Sequence, residues 1–183
     1  MRTSDPLGNA AAILDVLAEH QIRATFFIQS RWARAFPELA KRIVSDGHLV
    51  GSHSQSHCLF TALSHEGIAD DLVQARDTLA GIVGETRPWF RLPGGKGYLD
   101  SEILALIEAA GYRHVHWNAG GTDWHEGITA DEVAATAIEQ ARLESEAIVI
   151  LHSWPDPTPA ALTQIVEALA QDGADFVTVD QLD

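Results

Sequence analysis

Apolar periods of two kinds alternate along the whole chain, and that alternation leaves few folds open to it. Residues 10–20 carry the spacing of an amphipathic helix with Asn9 as its N-cap, and residues 24–28 then read as a buried strand. Helical spacing returns over residues 36–45 and stops at Gly47, before a short strand at 48–51. Ser64 caps a long helix to residue 83, closed by Gly84, and residues 89–91 form a strand ending in a Pro-Gly-Gly turn. A helix over 101–110 precedes a strand over 114–118. Thr129-Ala130-Asp131-Glu132 is a capping box for a helix to about residue 143. A strand over 147–151, a helix opened by Thr158-Pro159 and ended by Gly173, and a last strand over 176–179 complete the pattern. Six strands separated by helices predict an α/β fold with a parallel sheet, as a barrel or an open sheet. No linker or repeat interrupts the chain, so one domain over residues 1–183 is expected.

In such folds chemistry gathers at the C-terminal ends of the strands. Of four motifs three sit at strand ends, and the fourth follows its strand after a Gly-Gly turn. Gly51-Ser52-His53-Ser54-Gln55-Ser56-His57 places two imidazoles four residues apart after a strand. Nine histidines in 183 residues give about 0.4 such pairs by chance, so the spacing alone decides nothing. The setting adds weight: small residues, directly after an apolar run, suit either metal ligands or structural histidines. Arg91 follows two aromatics and precedes Leu-Pro-Gly; it is either half of a structural ion pair or the group that orients a catalytic carboxylate. Gly94 and Gly95 permit close approach of a ligand, with N–H groups available to an oxyanion. Asp123-Trp124 follows a Gly-Gly turn, and His152 ends the most apolar strand, after Leu151. An Asp–His pair there fixes the imidazole tautomer and raises its pKa, giving a general acid; a satisfied core histidine is the plainer alternative. Trp124 and Trp154 either floor an apolar pocket or simply pack.

Composition excludes several classes. A formal net charge of −14 repels phosphate backbones and anionic membranes, which argues against nucleic acid as a partner. No stretch is long and apolar enough to span a bilayer, and no signal peptide opens the chain. As written, a cytoplasmic protein is expected, with the cell envelope or secretion open if sequence precedes Met1. Cys58 is the single cysteine, so no internal disulfide forms; beside His57 it is either apolar filler or a reactive thiol.

Together the four motifs resemble those of the polysaccharide deacetylase family, the NodB homology domain of carbohydrate esterase family 4. Residues 51–57 are similar to its His-Ser/Thr-x-x-His metal motif. Phe90-Arg91-Leu92-Pro93-Gly94 resembles its Arg-x-Pro-Tyr motif, with Gly94 in place of Tyr. Asp123-Trp124 and Leu151-His152 resemble its Asp-Trp and Leu-x-His motifs. The resemblance implies a distorted (β/α)7 barrel with the first strand short or absent. It implies a hydrolase removing N-acetyl, or less often O-acetyl, groups from a glycan. His53, His57 and a carboxylate would hold a divalent ion, zinc with cobalt or manganese as substitutes. Arg91 would orient a carboxylate base, His152 tuned by Asp123 would protonate the leaving amine, and Trp124, Gly94 and Leu151 would line the substrate site. The family's first strand ends in an Asp pair that serves as base and third ligand. Here Asp5 is the only carboxylate at that position; it suits either role, ligand or base, and one Asp does not readily serve as both. Three functions follow: a metal-dependent deacetylase, a catalytically impaired glycan-binding relative, or a cyclic amide or imide hydrolase on the same frame.

Overall fold

The computed structural model describes residues 8–182. The chain forms two compact units, Thr25–His116, and Met1–Ala24 with Trp117–Asp183.

The Thr25–His116 unit is built on a parallel sheet of β1 (Thr25–Ile28), β2 (Leu49–Ser52), β3 (Trp89–Phe90) and β4 (Arg113–His114), in that order. Register sets Phe27 beside Gly51, Ser52 beside Phe90, and Phe90 beside His114. Helices α2 (Ser30–Ala35), α3 (Pro37–Ser45), α4 (His65–Val83) and α5 (Ser101–Ala109) make the crossovers. Their starts are local chemistry. Ser64 Oγ accepts the Gly67 N–H at the head of α4, and Asp100 Oδ1 accepts from Glu102 and Ile103 at the head of α5. The core joins Ile68 and Leu72 of α4 to Phe90, Leu92, Ile103, Ile107, Tyr112 and Phe60. Each such large side chain contributes roughly 1.5–3 kcal/mol when fully buried. That core fixes β3, and with it the segment that carries Arg91. Helix α2 was not anticipated: six residues with no side-chain cap carry too little period to be read.

The second unit holds α1 (Ala10–Glu19), a two-stranded parallel pair of β5 (Ala119–Gly120) and β6 (Val149–Ile150), α6 (Ala130–Ala141) and α7 (Thr158–Gln171). Ala119, Ala134, Ala137, Ala141 and Ala161 pack with Val133, Ile165 and Leu169. Small side chains at such a contact let helices approach closely.

Three expectations change. The strand over 114–118 stops at His114, because Arg91 takes the next two carbonyls: its Nε donates to Val115 and its Nη2 to His116. Asn118 then binds the backbone of Glu146 and Ile148 through its side chain, and pairing resumes at β5. The strand over 176–179 does not form. Phe176 packs on the alanine-rich core, and Thr178 caps a short 3-10 turn, Val179–Gln181. Asn9 precedes α1 but makes no capping bond; its side-chain amide donates to Pro155 O and its backbone N–H to Ser153 O. Asp5, and the place of the family's first strand that is expected to be short or absent here, lie outside the described residues.

Candidate active site

β2 delivers the histidine pair. The His53 N–H bonds Ile28 O, which continues the β1–β2 ladder by one residue. Its ring Nδ1 lies 2.8 Å from Arg91 O. A carbonyl can only accept, so Nδ1 carries the proton and Nε2 carries the lone pair. The His57 ring lies 4.8 Å from that of His53, at 74°. Ser54 and His57 both have positive φ, 66° and 64°, a conformation that costs about 1–3 kcal/mol each and persists only where the surroundings enforce it. They do. Ser54 Oγ accepts the His57 N–H, Ser54 O and Gln55 O accept from Ser30 and Arg31 at the start of α2, and Asp71 accepts the Gln55 N–H. Burial raises the Asp71 carboxyl, with the Gln55 N–H opposing.

Arg91 is buried, and its guanidinium sits 4.2 Å over the Phe27 ring. Phe27 in turn lies against Gly51, where a Cβ would come within 2.6 Å of the ring. Burial lowers the Arg91 pKa to about 10, which leaves it charged at neutral pH. Its hydrogen bonds to the Val115 and His116 carbonyls satisfy part of that charge. Gly94 is exposed with φ 59°, a left-handed position that suits glycine where the family motif has tyrosine. The Gly95 N–H donates to Leu92 O, so it is not available to an oxyanion.

The second cluster lies in the other unit. Asp123, 1% exposed, accepts three hydrogen bonds: from His152 N at 2.6 Å, His152 Nδ1 at 2.8 Å and Thr158 Oγ1 at 2.8 Å. The carboxylate thereby fixes both the backbone and the tautomer of His152, whose Nε2 is the nitrogen left to exchange a proton with a substrate. Trp124, exposed, stands edge-on to the His152 ring at 5.2 Å, and Trp154 lies at 6.1 Å. Leu151 is half-buried and packs on the alanine-rich core. The sequence marks Thr158 only as the start of a helix. Its hydroxyl belongs to the Asp123 network, and the one signal in the sequence is a short polar side chain at the first residue of α7.

The donor set fits a divalent ion as far as it is described. His53 presents Nε2 with Nδ1 committed to a carbonyl, the arrangement usual for a ligating imidazole, and His57 stands beside it. Among the described residues no group of three His, Cys, Asp or Glu is assembled; Asp5, the expected third ligand, is outside them.

Comparison with known proteins identifies the family. The polysaccharide deacetylase profile matches residues 5–115, and the chain belongs to that family. It is 31% identical over 175 residues to an uncharacterized 30.6 kDa protein of Geobacillus stearothermophilus, covering 96% of this chain and 66% of that one. Identity to a peptidoglycan-N-acetylglucosamine deacetylase of Bacillus cereus is 28% over 174 residues, 93% of this chain and 62% of the relative. The chain thus spans about half to two thirds of the length of the curated relatives it matches. A family 4 carbohydrate esterase pseudoenzyme from Bacillus anthracis superposes with a TM-score of 0.88 at 24% identity, over 98% of this chain and 62% of that one; the fold is shared. A family 4 acetyl xylan esterase from Clostridium thermocellum, solved with a cobalt ion, gives a TM-score of 0.85 at 26% identity, over 94% and 82%. The expected α/β fold is therefore the family's. The family is one of metal-dependent hydrolases acting on carbon–nitrogen bonds.

Proposed function

We propose that this chain removes acetyl groups, N-acetyl above all, from an acetylated glycan. The observation that carries the reading is the imidazole pair at the end of β2, with the His53 proton held on Nδ1 by Arg91 O. Relatives named as deacetylases of peptidoglycan N-acetylglucosamine and N-acetylmuramic acid and of chitooligosaccharides support a glycan as the substrate. His53 and His57 would hold a divalent ion with Asp5, and zinc or cobalt suits two imidazoles and a carboxylate. When bound, the ion supplies Lewis acidity toward the acetyl carbonyl and the attacking water. Everything else falls to side chains. A carboxylate base takes the water proton, and Asp5 is the candidate for that role where it is not the metal ligand. Arg91, buried and charged at neutral pH, would orient that carboxylate as the family resemblance implies. His152, held by Asp123, gives its Nε2 proton to the leaving amine. Trp124 offers a flat apolar face for a sugar ring.

Zinc titration by calorimetry tests the ligand assignment. The chain should bind one ion, and the His53→Ala/His57→Ala double variant none. Asp5→Ala should weaken binding or abolish turnover. His152→Ala should keep the ion and lose acetate release by about a hundredfold or more, the usual worth of a positioned acid. Full activity in His152→Ala would refute the acid role.

A further inference from the structure

The Arg91–Leu92 peptide has an imidazole at each end. Its carbonyl accepts the His53 Nδ1–H at 2.8 Å, and its N–H points at Nδ1 of His114 at 3.4 Å. Both bonds form together only when the two rings are opposite tautomers. His53 then carries its proton on Nδ1, and His114 carries its proton on Nε2 with the lone pair on Nδ1. His114 lies at the end of β4, beside Phe90, and belongs to none of the four motifs. Burial first, then His116 and Arg91, lowers the His114 pKa to about 4 from 6.5, while the Phe90 carbonyl opposes the shift; the ring is neutral near pH 7. Its Nε2 is buried and meets no hydrogen-bond partner among the described residues. The ring's contacts are thus at Nδ1, where the Leu92 N–H donates to the neutral ring's lone pair and the Phe90 carbonyl would compete for a proton.

We infer that His114 is a positioning residue for His53: by accepting from Leu92 N–H it fixes the peptide whose carbonyl holds the His53 proton, and so aims His53 Nε2. The link to metal rests on His53 being a ligand. Hydrogen bonds at the two ends of one amide polarise each other, so an acceptor on the N–H makes the carbonyl a better acceptor. Direct partners of ligating histidines change metal affinity by about 10–100-fold. His114 acts one bond further out, and about 3–10-fold is expected.

Nitrogen-15 NMR of the metal-free chain reads both rings. The expected result is the Nδ1–H tautomer for His53, the Nε2–H tautomer for His114, and a coupling across the hydrogen bond from the Leu92 amide to His114 Nδ1. His114→Leu removes the acceptor, whereas His114→Asn keeps one near the same point. In His114→Leu the His53 Nδ1 proton should exchange faster and zinc affinity should fall about 3–10-fold, with His114→Asn within about twofold of the parent on both. A His114 ring protonated on Nδ1 and turned to the Phe90 carbonyl would overturn the inference. So would a folded His114→Leu with unchanged His53 proton exchange. Should the parent chain bind no zinc, the ligand reading fails, while the tautomers and proton exchange of the metal-free protein still decide the role of His114.

Discussion

Asp123 takes three donors on two oxygens, and a carboxamide at that position cannot accept all three. Asp123→Asn should therefore cost about a hundredfold or more in acetate release and roughly 1–3 kcal/mol in stability, read by assay and by denaturant titration. Thr158→Val removes one of those donors from a buried carboxylate. It should destabilise by about 1.5–3 kcal/mol while keeping His152 in its tautomer. His114 predicts a pH effect. Its folded pKa of about 4 lies below the ordinary 6.5, so the unfolded chain binds the proton first as pH falls. Stability is then whole above 6.5 and is lost between 6.5 and 4, by about 1–2 kcal/mol after allowing for partial solvent access. Asp71, raised by burial, works in the opposite direction as it protonates. Denaturation midpoints of the parent and His114→Asn chains from pH 7 to pH 4 isolate the histidine contribution. The residues of the motifs were legible because each follows a strand. Thr158 and His114 were not, since their roles come from partners 35 and 22 residues away.

Among elements, helices with caps were the most legible. The Thr129–Glu132 capping box heads α6 as its sequence predicts, and Thr129→Ala should cost about 1 kcal/mol in thermal or denaturant unfolding. Strands were less so. The run 114–118 looks continuous because its apolar residues are consecutive, yet Arg91 captures the carbonyls of Val115 and His116 and ends the pairing. No local pattern reveals a guanidinium arriving from another strand. Gly51 carries a related tertiary constraint. A methyl group there strikes Phe27, on which Arg91 rests, so Gly51→Ala should destabilise by about 1–3 kcal/mol and displace the guanidinium as well. Denaturant unfolding beside the Arg91 side-chain NMR signals checks both parts.

For the molecule as a whole, the alternation of helix and strand identified the α/β class, and motif order identified the family; neither depends on geometry. A net charge of −14 disfavours anionic ligands and suits the neutral glycan proposed as substrate. The most direct test is acetate release from an acetylated chitooligosaccharide, measured against added zinc for the parent chain and for His53→Ala/His57→Ala. Release should rise with metal, saturate near one ion per chain, and be absent from the double variant. Release that is indifferent to metal, or equal in both proteins, would contradict the proposed function.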